Sequence, residues 1–159
     1  MTAKPQLISS TSLDSLSGQA RASARRRKNY NFHPSESDPA SRLLNAVEPG
    51  SYVQPHRHLD PSKDETFVVV RGSFGVVFFD EAGTVTQTAI ATAGGDVVGA
   101  NIPHGVYHSL LALEPGSVFF EAKAGPYVPI SDVERAPWAP KEGEAAVPAY
   151  LNQLERLFR

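Results

Sequence analysis

From position 43 onward the chain runs in short apolar stretches, several alternating with polar residues at a period of two: LLNAV, SYVQPHRH, ETFVVVRG, FGVVFFD, TVTQTAIAT, DVVGANI, VYHSLLAL and SVFFEAK. Alternation at that period puts successive side chains on opposite faces of a strand. The stretches are separated by EPG, EAG, AGG, PHG and a second EPG, all turn sequences. Many short strands with such punctuation predict an antiparallel sandwich or barrel. EPGS occurs at Glu48 and again at Glu114, each time ahead of an apolar strand, and is read as two similar turns rather than an internal repeat.

The two ends differ from this middle. Positions 12–24 predict a first helix, capped by Thr11 or Ser12 and with Asp14 in its first turn. In KNYNFHP, Tyr30 and Phe32 alternate with Asn29, Asn31 and His33, which predicts a strand ended by Pro34. Near the other end, GPYVPISDVERAPWAPKEG is rich in proline and holds the only tryptophan; it predicts an extended segment across the barrel surface, anchored by Trp138. A last helix is predicted over 147–158, with Pro148 in its first turn and Leu151, Leu154 and Phe158 on one stripe against the barrel or a partner subunit. The expected organisation is an N-terminal helix and strand extension (1–34), a barrel (35–125), and an extended segment with a C-terminal helix (126–159).

Composition narrows the chemistry. A chain of 159 residues builds a full core without staples. Fifteen Lys and Arg against 17 Asp and Glu give a net charge of -2, so no bulk basic field argues for a nucleic-acid partner. The one basic cluster, RASARRRK from Arg21 to Lys28, is read either as a helix end whose cations complement the dipole or as an anion or nucleic-acid contact. With no cysteine there is neither a disulfide nor a thiolate ligand, so any metal is held by nitrogen and oxygen. The sequence begins without a signal-peptide pattern, and its longest apolar runs, FVVV and VVFF, have strand length. A cytoplasmic protein with no membrane partner is expected.

Candidate chemistry centres on histidine. In a strand, His56 and His58 leave the same face about 6.5–7 Å apart, a spacing that suits two imidazoles meeting one ion. His108 follows a Pro-x-Gly turn near the start of an apolar strand, where a polar side chain needs a reason to face inward. His104 sits in the turn and is read as exposed. Glu65 shares a strand face with Phe67 and Val69, and a carboxylate on that face is costly to bury unless a metal or a hydrogen bond satisfies it. By the same counting Tyr52 lies on the face of His56 and His58, either as a hydroxyl in their cavity or as a core tyrosine. Asn29, Asn31 and His33 share one face, either toward a polar ligand or toward water.

These residues also carry a resemblance. Gly50, five residues, His56-x-His58, then Glu65, six residues and Gly72 resembles the first cupin motif, and Pro103-x-Gly105-x-x-His108 resembles the core of the second. The spacing from His58 to Glu65 is longer than the usual form by two or more residues, and Ala112 stands where that motif often has Asn. More closely, KNYNFHP, SRLLNAVEPGSYVQPHRH, KDETFVVVRG, EAKAGPYVP and APWAPKEG together resemble the WbuC family of cupin-fold metalloproteins, some of whose members are encoded among surface-polysaccharide genes. The resemblance implies an all-β, cupin-type double-stranded β-helix (jelly-roll) barrel. It also implies one divalent metal ion bound by the cupin histidines His56, His58 and His108, with Glu65 expected either as a fourth ligand or as an acceptor within one water of the metal. Such a nitrogen and oxygen set with open positions suits Fe, Mn, Ni or Zn.

Two functions are expected from this reading. One is a metal-dependent enzyme acting on a small polar substrate such as a sugar or sugar acid, an isomerase or an oxygenase, with Glu65 as a base and Tyr52 beside it. The other is a non-catalytic module that holds metal and a saccharide or small acid. Covalent acyl chemistry has no support, there being no Cys and no G-x-S-x-G elbow. Apolar edges at the N-terminal strand, the GPYVP segment and the last helix predict a homodimer.

Overall fold

The computed structural model describes residues 4–159. Its first element is a helix, α1 (Ser10–Ala22), which starts two residues earlier than the apolar pattern suggests. The cap is Ser9: its hydroxyl accepts from the backbone N–H of Ser12 at 3.2 Å, while the Ser9 N–H donates to the Ser12 hydroxyl at 2.9 Å. This reciprocal pair satisfies two orphan donors, which neither Thr11 nor Ser12 does as a cap. Asp14 falls beyond the first turn and accepts from Arg71 at 2.6 Å instead. Leu13, Leu16 and Ala20 bury the inner face of α1 against Leu44, Ala46 and Val118.

Eight strands follow: β1 (Arg27–Asn31), β2 (Ala40–Val47), β3 (Glu65–Arg71), β4 (Ser73–Phe79), β5 (Val85–Thr92), β6 (Gly99–Ile102), β7 (Tyr107–Ala112) and β8 (Ser117–Ala124). They form a five-stranded sheet, β1-β2-β8-β3-β6, and a three-stranded sheet, β5-β4-β7, all antiparallel. Phe67, Val69, Phe74, Val76, Leu110 and Phe119 fill the space between the sheets. This is the expected cupin-type jelly-roll barrel, with α1 and β1 added to the larger sheet and a short helix at the C-terminus. No helix among the described residues is long and apolar enough to cross a membrane.

Two predicted strands depart from expectation. DVVGANI pairs only from Gly99, where β6 runs so close to β3 that a Cβ on Gly99 would overlap the Phe67 carbonyl. SYVQPHRH is an extended loop with two isolated bridges, both at His56: it exchanges backbone hydrogen bonds of 3.1 and 2.9 Å with His108 and also bridges to Arg135. Pro55 offers no donor, so a regular ladder does not form beside it.

The C-terminal segment packs on the barrel through Trp138 and the last helix. Trp138 packs against Phe79 and Tyr107, with ring centroids 4.8 and 5.8 Å away. The last helix, α2 (Val147–Glu155), buries Leu151 and Leu154, and a 3₁₀ turn (Arg156–Phe158) sets Phe158 over Gly75.

The basic cluster is not chiefly a helix end. Only Arg21 lies in the last turn of α1, and it pairs with Glu48 at 3.4 Å. Arg25 grips both oxygens of Glu142 at 2.7 Å, and Arg27 adds a bond of 2.8 Å, so the cations fasten the C-terminal segment to the N-terminal one. The two EPG turns also meet: the buried Glu48 carboxylate accepts from the Gly116 N–H at 3.1 and 3.2 Å.

Candidate metal centre

The loop carrying His56 and His58 is held from outside by the C-terminal segment. The Arg57 N–H donates to the Glu134 carbonyl at 2.9 Å, the Leu59 N–H to the Glu134 carboxylate at 3.0 Å, and the Ala136 N–H to the Pro55 carbonyl at 2.9 Å. The Arg57 guanidinium lies 4.3 Å over the Tyr107 ring and pairs with Glu81. With Arg57 clamped on one side, the extended backbone turns its two neighbours to the other.

There they meet His108, which lies on β7 and is 1% exposed. The ring centroids are 4.6 Å apart for His56 and His108, 5.5 Å for His56 and His58, and 6.2 Å for His58 and His108. His56 Nδ1 donates to the Gln54 carbonyl and His108 Nδ1 to the Val106 carbonyl, each at 2.9 Å. That tautomer leaves Nε2 as a lone pair on both rings, the arrangement usual for a ligating histidine. His108 Nε2 is buried and has no hydrogen-bond partner among the described residues. Burial pushes His56 down to about 3 and lowers His108 as well, so both rings stay neutral at ordinary pH, the form that binds a metal.

Glu65 opens β3 and is 4% exposed. Its carboxylate accepts from His58 Nε2 at 3.0 Å and from Lys123 Nζ at 3.3 Å. Burial alone would raise its pKa, but the His58 hydrogen bond and the Lys123 charge outweigh burial and hold it below the usual carboxylate range. Lys123 also pairs with Glu121 at 2.9 Å and stands 3.4 Å from His58 Nε2. Burial disfavours its charge, yet the two carboxylates keep it firmly protonated. Glu121 is raised, by burial first and by Glu65 next, and accepts from Asn45 Nδ2 at 3.0 Å.

The four predicted ligand side chains are thus neighbours, but their donor atoms do not yet surround one point. His58 and Glu65 are bonded to each other, and among the described residues no three His, Cys, Asp or Glu groups have the spacing of a metal site. The residues nonetheless fit a divalent ion. Two neutral imidazoles offer free Nε2 positions, one of them a buried orphan, and a buried carboxylate and a third imidazole stand beside them.

A cavity of about 440 Å³ reaches His56 and Glu65 and is lined also by Arg27, Asn29, Glu121 and Lys123. A second, of about 250 Å³, is lined by Asn29, Asn31, His33, Glu121, Lys123 and Tyr127. The two share Asn29, Glu121 and Lys123, so the face of β1 expected to meet a polar ligand adjoins the histidine cluster. Asn29 Nδ2 donates to Asn31 Oδ1 at 2.8 Å, and His33 Nδ1 lies 3.2 Å from the Arg42 carbonyl.

Tyr52 is the correction. Its hydroxyl donates to the Pro140 carbonyl at 2.8 Å, its ring packs 6.1 Å from Tyr150, and burial raises its pKa above the usual range. It is a core residue under the C-terminal segment. Counting by twos fails there because residues 51–55 are not a regular strand. His104 is an exposed turn residue whose N–H and Nδ1 meet Asp64 at 2.9 and 3.0 Å. Sequence reasoning missed Glu121 and Lys123, although in SVFFEAKA they share the strand phase of buried Phe119. It also missed Glu134, for which the sequence carries no signal.

The barrel and its inward histidines define a cupin-type fold. The chain belongs to a family described as Domain of unknown function (DUF6016), whose model matches residues 8–91, from α1 through most of β5. That match includes His56, His58 and Glu65 and stops before His108. No curated protein matches the chain. Among solved structures, KdgF from Halomonas sp. superposes with a TM-score of 0.51 at 20% identity, over 65% of this chain and 81% of that one. An oxalate decarboxylase from Bacillus subtilis, described with Mn(II) centres, gives 0.49 at 21% identity over 69% of this chain but only 27% of its own. A cupin superfamily protein from Desulfitobacterium hafniense gives 0.48 at 12% identity, over 62% and 76%. At these identities the likeness is one of fold.

Proposed function

We propose that this chain is a metal-binding cupin in which His56, His58, His108 and Glu65 hold one divalent ion, Fe, Mn, Ni or Zn. The observation that carries the reading is the buried, unpartnered Nε2 of His108 beside the free Nε2 of His56. A buried polar atom without a partner costs about 1–3 kcal/mol, a cost that a ligand bond removes. For His58 and Glu65 to join, their mutual hydrogen bond opens and each turns to the ion.

The activity proposed is metal-dependent conversion of a small polar substrate such as a sugar or sugar acid. A bound ion supplies a Lewis acid for a carbonyl or hydroxyl oxygen, or an oxygen-binding centre where it is iron. The chain itself supplies the polar lining: Asn29, Asn31 and His33 bind hydroxyl or carboxyl groups in the adjoining cavity, and Glu65 takes a proton from substrate. Membership of the WbuC family and a role in surface-polysaccharide metabolism belong to the same proposal and are supported by the motif string; a cytoplasmic setting is proposed with them because a cysteine-free chain fits a reducing compartment. Metal-loaded protein offered a panel of sugars, sugar acids and diketones tests it. An isomerase interconverts one of them without oxygen, and an oxygenase consumes oxygen. Tight saccharide or acid binding with neither outcome makes the chain a binding module.

A further inference from the structure

We infer that Lys123 is an internal cation that holds the metal pocket of the metal-free chain together and that an incoming metal ion displaces onto Glu121. The inference rests on the metal reading above. β8 runs antiparallel to β3 with Lys123 directly opposite Glu65, so both side chains enter the barrel at one level. Glu121, two residues before Lys123, shares that face. One ammonium therefore stands between two buried carboxylates, 2.9 Å from Glu121 and 3.3 Å from Glu65, with its side chain only 18% exposed.

The charges explain the arrangement. A buried carboxylate without a cation is costly, and in the metal-free chain Lys123 stands 3.3 Å from Glu65 as its cation. Two carboxylates share one ammonium, which leaves room for a metal ion but not for two cations on the same oxygen. Lys123 and the metal compete for Glu65 Oε2 and for the region of His58 Nε2, both of which Lys123 now touches. Retreat costs little, because the shorter contact, to Glu121, is already made and Glu121 is fixed from its other side by Asn45. Glu121 is the residue that makes the exchange reversible.

Zn(II) affinity of the full chain, measured by competition with a chromogenic chelator, tests the inference together with the melting temperature of the metal-free protein. Lys123→Met is expected to tighten Zn(II) binding by about 10–100-fold, the range typical for residues that act through a ligand. It is also expected to lower the melting temperature of the metal-free chain. Glu121→Gln is expected to weaken binding, since Lys123 is left with Glu65 alone, and the loss is smaller when Lys123 is already Met. Lys123→Arg keeps the charge and stays near wild type. Zn(II) uptake by wild type with no tightening in Lys123→Met, or an unchanged metal-free melting temperature, overturns the inference alone. No uptake of Zn, Mn, Ni or Fe by wild type or any variant defeats the metal reading and the inference with it.

Discussion

His108 is buried with one ring nitrogen engaged by the Val106 carbonyl and the other without a hydrogen-bond partner among the described residues. A histidine kept only for packing would have both nitrogens satisfied. His108→Ala is therefore expected to abolish stoichiometric metal uptake, as measured by elemental analysis of the folded variant. Glu65→Gln keeps the shape and removes the charge; the expected outcome is metal binding weakened by about 10–100-fold, and more if the carboxylate ligates directly. Unchanged affinity in that variant would leave three histidines as the whole protein contribution. At this scale strand phase was an adequate guide inside the ladder: Glu65, Phe67 and Val69 do face inward together. It failed for Tyr52, because the residues from Ser51 onward leave the sheet and their side chains answer to the C-terminal segment. Glu121 and Lys123 were legible by the same phase rule, as charged residues in step with Phe119.

Between elements, the geometry of the histidine loop depends on a contact that no local pattern announces. Glu134, some 75 residues along the chain from Leu59, accepts from the Leu59 N–H and from the N–H and hydroxyl of Ser131. Burial acts to raise the pKa of its carboxyl, but these donors outweigh it and bring the group from an ordinary 4.5 down to about 2. A carboxyl depressed on folding adds stability above its unfolded value, and that stability fades as pH falls from 4.5 towards 2. Glu134→Gln is expected to remove this part of the acid dependence, so that the melting temperatures of wild type and variant converge as pH drops from neutral to about 3. Equal separation of the two curves across that range would show that Glu134 is not the clamp. Faster amide exchange at Leu59 in the variant is the matching local readout. The strands were legible because Gly and Pro mark their ends; the loop was not, because its extended backbone has strand-like composition without a strand partner.

For the molecule as a whole, turn spacing and cupin-like motifs were enough to predict a closed β-barrel with a helix at each end. They did not predict sheet order, because the pairing of β2 with β8 joins residues 70 to 84 positions apart and leaves no periodic mark. Nor did they reveal that Arg25 and Arg27 tie the two chain extensions through Glu142, since charge along the chain says nothing of its partner in space. β1 remains an edge of the larger sheet, and Tyr30, Tyr127, Val128 and Leu157 are exposed apolar residues on the N- and C-terminal elements. An unpaired edge strand that carries the exposed Tyr30 favours isologous pairing, so a homodimer is proposed. Light scattering at micromolar concentration is expected to return about twice the chain mass of 17.1 kDa, and a value equal to that mass refutes the dimer. The central claim, a metal held by three histidines and Glu65, is tested most directly by elemental analysis of protein purified without a chelating column. The expected result is about one divalent ion per chain. Metal below about a tenth of an equivalent, with no uptake after addition of Fe, Mn, Ni or Zn, would contradict it.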